Sequence, residues 1–146
     1  MSVKSKKLPF KTFLKTFKFV PRVAVNLYIK DNLDQILLTK RKIPPFKDYW
    51  HIPGSFLLKK ERIKDCIERV AKEELGIKLR QNRIELLGVF ENLDKDERGH
   101  VIDIIYGLKI NSSLKSGRKS QFVKFFRKLP PNIGFNHEDY LKKLNS

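Results

Sequence analysis

The stretch Pro53-Gly54-Ser55-Phe56-Leu57-Leu58-Lys59-Lys60-Glu61, running on through Arg62 to Ile77, decides how the rest of the chain is read. A glycine-containing loop leads into a helix-patterned run that a second glycine, Gly76, closes. Ile63, Ile67 and Val70 fall at i, i+4 and i+7, with Cys66 and Ala71 beside them, so one face of this helix is expected to be buried. Glu74 lies four residues beyond Val70 and continues that stripe, with Glu73 about 100° round the helix. An inward carboxylate is costly unless something positive meets it. Two carboxylates at a helix C-terminus also oppose the macrodipole, a cost that a bound cation would offset. The alternative is a solvated acidic pair at a helix end.

Working outward, Val23, Val25, Leu27 and Ile29 alternate within Arg22 to Lys30, which reads as a strand. Asp31-Asn32-Leu33-Asp34 is turn chemistry, and Ile36 to Lys40 is the returning strand of a hairpin. Arg41 follows, before a loop containing Pro44 and Pro45; Trp50-His51-Ile52 then leads into the central stretch. Downstream, Ile84 to Glu91, Val101 to Ile110 and Phe122 to Phe126 read as strands, and His137 to Leu144 as a helix. Upstream, Phe10, Phe13, Leu14 and Phe17 repeat at helical spacing between lysines, until Pro21 stops the run. That stripe is expected to pack on the domain rather than on a membrane surface or RNA. Residues 1–8 read as a flexible basic tail.

At 146 residues the chain reads as one domain, residues 1–146, with strands around a long helix in α/β layers. Its 32 Lys and Arg against 16 Asp and Glu give a net charge of +16, which favours anionic partners: nucleotides, or weak and non-specific nucleic-acid binding. A single cysteine excludes an intrachain disulfide. No stretch approaches the ~20 apolar residues of a membrane span. Lysines break up any apolar signal region, and a cytoplasmic location without membrane contact is expected.

The central stretch resembles the signature of the Nudix hydrolases, G-x5-E-x7-R-E-U-x-E-E-x-G-U, read here as Ser55, Glu61, Arg69, Val70, Ala71, Glu73, Glu74, Gly76 and Ile77. Ser55 replaces the first glycine, with Gly54 just before it, and Val70 replaces the glutamate after the arginine. Ile36 to Arg41, Tyr49-Trp50 and Ile52-Pro53-Gly54 are similar to the family's entry to this loop, so the resemblance covers roughly residues 20–145. It implies an α/β/α sandwich with a mixed β-sheet and a loop–helix–loop motif. It also implies Mg²⁺ or Mn²⁺ held by Glu73, Glu74 and the Gly54 carbonyl, an oxygen set that suits hard cations. Arg69 paired with Glu61 would hold the loop, and Arg41 would reach substrate phosphate.

The general base is open among Glu91, Asp94, Asp96, Glu97, His100 and Asp103, with Glu97 and His100 taken as the catalytic candidates. The implied activity is metal-dependent hydrolysis of a nucleoside diphosphate linked to another moiety. The apolar residue at 70 is nearest the GDP-mannose mannosyl hydrolase branch, which attacks the sugar carbon with a histidine base. Here the corresponding loop, Gly117-Arg118-Lys119-Ser120-Gln121, has no histidine, and Asn26 stands where that branch has a helpful aspartate. A catalytically impaired nucleotide- or RNA-binding protein is the third reading, and a homodimer is left open.

Overall fold

A computed structural model describes residues 6–79, 83–111 and 122–145. Its elements are α1 (Phe10–Thr16), β1 (Arg22–Lys30), β2 (Ile36–Lys40), β3 (Trp50–His51), β4 (Gly54–Phe56), α2 (Ile63–Leu75), β5 (Glu85–Asn92), β6 (Val101–Lys109), β7 (Val123–Phe126) and α3 (His137–Leu144). Among the described residues the strands form one mixed sheet, ordered β3-β2-β1-β6-β5, with β4 added to β1 and β7 to β2. β1 and β6 run parallel over nine residue pairs, from Arg22↔Val101 to Lys30↔Lys109. The other strand pairings are antiparallel.

β1 is more buried than its alternating pattern suggests. Val25, Leu27 and Ile29 join Cys66, Ile67, Val70 and Ala71 of α2 in one apolar cluster. Tyr28, on the opposite face, joins Ile105, Tyr140 and Leu141 in a second cluster. A central strand covered on both faces has no solvent side, so Ala24 and Asn26 are buried as well. The result is the expected α/β/α arrangement.

The acidic helix ends as its sequence dictates. Gly76 adopts φ 66°, its N–H bonds to the Lys72 carbonyl (3.0 Å), and the Ile77 N–H bonds to the Ala71 carbonyl (3.1 Å). This left-handed closure satisfies carbonyls that the helix cannot pair internally. Arg62 at the other end makes no side-chain cap.

α1 does pack on the domain, through Phe13 and Phe17 against Phe56. Its other face does not: Phe10 is 66% exposed. No helix among the described residues is long and apolar enough to cross a membrane.

A Cβ at Gly76 would meet nothing within 4 Å, so Gly76→Ala isolates the backbone cost of the left-handed conformation. Urea denaturation should show a loss of about 1–2 kcal/mol, without a change in the slope of the transition.

Candidate functional site

The loop between β4 and α2 is held by one guanidinium. Arg69 Nε donates to Glu61 Oε2 at 2.8 Å and Nη2 donates to Oε1 at 3.0 Å, a fork-to-fork pair. The same side chain donates to Ser55 Oγ (2.9 Å) and to the Phe56 carbonyl (3.0 Å). Glu61 Oε1 also accepts the Leu58 N–H at 3.1 Å. Burial would raise the Glu61 carboxyl, but the hydrogen bonds from Arg69 and Leu58 outweigh it and hold it below its ordinary value. Cys66, wholly buried beneath this pair, is pushed up to about 12, chiefly by burial, which removes it as a nucleophile.

Antiparallel pairing of β4 with β1 sets Gly54 opposite Asn26, next to the Ser55 and Phe56 that the clamp holds. A Cβ on Gly54 would lie 2.1 Å from Asn26 Oδ1 and 2.9 Å from the Val25 carbonyl, so only glycine fits. Asn26 Nδ2 in turn donates to Asp103 Oδ1 (2.9 Å), and the Tyr140 hydroxyl donates to Asp103 Oδ2 (2.7 Å). Burial raises the Asp103 carboxyl despite both hydrogen bonds. Gly54, Asn26 and Asp103 line a cavity of about 180 Å³ together with Asn92, His51, His137, Phe135, Asp96, Arg41 and Arg98.

Both histidines on this wall are neutral, and their partners fix the tautomers. His51 Nδ1 faces the Ile52 carbonyl (2.8 Å), which can only accept, so Nδ1 carries the proton. Its Nε2 accepts from the Thr39 hydroxyl at 3.2 Å. His137 Nδ1 accepts the Ile52 N–H at 2.9 Å, so its proton sits on Nε2. Burial takes His51 down to about 4, and Arg41 and Arg98 add to that. Burial also holds His137 well below 6.5, aided by His51 and Arg41.

The positive charges are equally constrained. Arg98 Nε and Nη2 reach the buried Asp96 carboxylate at 2.9 and 2.8 Å. The Arg41 guanidinium turns back onto carbonyls of its own loop, those of Ile43, Pro44 and Pro45. Burial lowers the Arg41 pKa, and the neighbouring Arg98 charge lowers it further. Two guanidinium groups in one cavity wall repel each other, and an anion between them relieves that repulsion.

A second recess opens on the other side of Arg41. It is lined by Glu74, Gly54, Arg41, His51 and Lys40 among others. Glu74 is half-buried here rather than buried, because this stretch of the α2 stripe meets the recess instead of the core. Glu73 is more exposed, paired with Lys7 (2.9 Å) and facing Arg69 at 3.5 Å. Glu74, Glu73 and the Gly54 carbonyl are oxygen donors only, a set that fits Mg²⁺ or Mn²⁺. No cluster of three or more His, Cys, Asp or Glu side chains suited to a metal occurs among the described residues.

The remaining candidates separate. Glu97 lies on an open groove beside Arg41 and Arg98. His100 lines neither the cavity nor the recess, and its buried Nε2 has no hydrogen-bond partner among the described residues. Asp96 and Asp103 are engaged by Arg98 and by Asn26 with Tyr140, while Glu91 and Asp94 are exposed. Val70 is fully buried in the core cluster. The Gly117–Gln121 loop falls outside the described residues. Sequence reasoning missed His51, His137 and Arg98. Their only advance signal was polar side chains next to apolar ones at Trp50-His51-Ile52 and at the start of the last helix.

A family model described as the NUDIX domain matches residues 20–136. The chain belongs to the Nudix family of hydrolases. An ADP-ribose pyrophosphatase of Methanocaldococcus jannaschii is 39% identical over 143 residues, spanning 94% of this chain and 82% of that one. The Nudix fold is shared with a MutT/nudix family protein from Enterococcus faecalis, at a TM-score of 0.73 and 24% identity over 94% of this chain and 68% of that one. A bifunctional NMN adenylyltransferase/ADP ribose pyrophosphatase from Francisella tularensis, complexed with AMP and a Mn ion, is also similar. It superposes at a TM-score of 0.69 with 25% identity over 92% of this Nudix chain, which spans only 46% of that protein.

Arg69→Gln should lower stability by about 2–4 kcal/mol at neutral pH, since it strands the Glu61 carboxylate in the loop. Because the folded Glu61 pKa lies below its ordinary 4.5, the stabilisation is present above that value and is lost as pH falls through the folded pKa. Denaturation midpoints measured down through the acid range should therefore fall less steeply in the variant than in the unaltered protein.

Proposed function

We propose that this Nudix hydrolase cleaves a nucleoside diphosphate linked to a sugar, of the ADP-ribose kind, by attack of water at phosphorus. One observation carries the reading: Arg41, Gly54 and His51 line both the polar cavity and the recess that holds Glu74. A phosphate seated at Arg41 thus has a hydroxyl-binding cavity on one side and the acidic end of α2 on the other. The similarity to an ADP-ribose pyrophosphatase over nearly the whole chain supports the same substrate class.

In this reading Arg41 and Arg98, held in place by their loop carbonyls and by Asp96, bind the pyrophosphate through their positive charge and the N–H groups those partners leave over. Asp103, Asn26 and the Nε2–H of His137 offer acceptors and donors to sugar hydroxyls. Glu74, Glu73 and the Gly54 carbonyl would hold Mg²⁺ or Mn²⁺, which would supply Lewis-acid polarisation of the phosphoryl group. Arg69 and Glu61 keep those donors in register. Glu97, on the groove beside the two arginines, is the carboxylate that accepts a proton from water. His100, away from both walls, is given no role.

The test is turnover of ADP-ribose with Mg²⁺ in ¹⁸O-labelled water, read by mass spectrometry. Label in a phosphate product is expected, whereas label in a free sugar would establish attack at carbon, as in the mannosyl branch. Glu74→Gln should lose Mn²⁺ affinity with the fold intact, and Glu97→Gln should lower kcat by about a hundredfold or more. If no nucleoside diphosphate compound turns over while nucleotides still bind, the impaired binding protein is the correct description.

A further inference from the structure

Beside the polar cavity lies a larger groove of about 790 Å³, and the two share Arg41, Ser55, Phe56 and Arg98 in their walls. The groove differs in character from the cavity. Its floor and sides carry Phe10 (66% exposed), Leu14 (37%) and Ile43 (59%), large apolar side chains with no core to join. Phe10 stacks on Phe13 at 6.5 Å, and Phe13 tilts onto Phe56 at 5.4 Å, so aromatic faces lead from the outer rim to the shared neck. Arg98 sits 5.2 Å above the Phe56 ring, and Lys7, Lys18 and Arg22 add positive charge to the walls against one acid, Glu97.

Resting on the function proposed above, we infer that this groove binds the nucleobase half of the substrate, with Phe10 as its stacking platform. The order of surfaces matches the order of groups in such a molecule. Hydroxyl-bearing sugar suits the small polar cavity, the pyrophosphate suits the two-arginine neck, and a flat heterocycle suits the aromatic groove. A base has a π-face whatever its identity, so stacking gives affinity without demanding hydrogen-bond readout. The positive walls favour an occupant that carries negative charge at one end, which a nucleotide does and a neutral apolar peptide does not. α1 therefore contributes to the site through its outer face, while its inner face holds it to the domain.

The experiment titrates AMP and ribose 5-phosphate into the unaltered protein and into Phe10→Ala, Ile43→Ser and Phe19→Ala, followed by calorimetry. Phe19 is 73% exposed and lies off the groove, so its variant controls for loss of surface apolarity. AMP affinity should fall about tenfold in Phe10→Ala and in Ile43→Ser, with ribose 5-phosphate affinity unchanged and Phe19→Ala like the unaltered protein. In turnover, the loss should fall in KM rather than kcat. Unchanged AMP affinity, or equal weakening of both ligands, overturns the inference. So does an effect of Phe10→Ala confined to self-association or to binding of anionic vesicles. Should the unaltered protein hydrolyse no nucleoside diphosphate compound, the proposed function fails, and the AMP titration still decides the groove on its own.

Discussion

The guanidinium of Arg69 sits at the junction of everything the site requires. It joins β4, the strand before the loop, through the Phe56 carbonyl and Ser55, to the loop's own carboxylate, Glu61, and it does so from the middle of α2. Pairing with β1 fixes the start of this segment, and the clamp fixes where it goes between β4 and the uncapped start of α2. Gly54 lies so close to Asn26 that a Cβ would not fit, and the Asn26–Asp103–Tyr140 chain follows across the sheet to α3. The precision of a distant hydrogen-bonded wall thus depends on an ion pair on the opposite side of β1.

Electrostatics in the cavity are arranged by exclusion as much as by attraction. Two arginines are brought together, and the imidazoles beside them are kept uncharged by burial and by those same arginines. The wall thereby offers positive charge on two guanidinium groups fixed by their own partners, and neutral donors elsewhere. An incoming anion meets no competing carboxylate that is free, since Asp96 is bound to Arg98 and Asp103 is hydrogen-bonded on both oxygens.

Much of the fold was legible because it was local. Arg22–Lys30, Ile36–Lys40 and His137–Leu144 follow from alternation, turn chemistry and helical spacing, and the Gly76 stop follows from one residue type. The site was legible only where its parts lie within one stretch: Glu61, Arg69, Glu73 and Glu74 are spaced along a loop and a helix. The cavity wall was legible only in pieces: Asp103 and Asn26 stood out singly, but they meet His51 and His137 only through tertiary packing of β1, β3, β6 and α3. Period alone also misplaced Glu74, which follows the apolar stripe in angle yet meets a recess in space. The two-residue β3 and three-residue β4 are too short for any alternation to declare them.

Val70 has a historical consequence. Its side chain is wholly enclosed in the cluster that includes Val25, Leu27, Ile67 and Ala71, so the space a signature glutamate would need has been given to the core. Returning a carboxylate to that position would bury a charge with no cation in the cluster to meet it, at a cost of several kcal/mol, on the order of what a marginally stable domain can lose. Substitution at this position therefore works as a ratchet. A single Val70→Glu step is opposed by the packing of the core whatever the carboxylate could do for the chemistry, and groups from other segments can change without that cost.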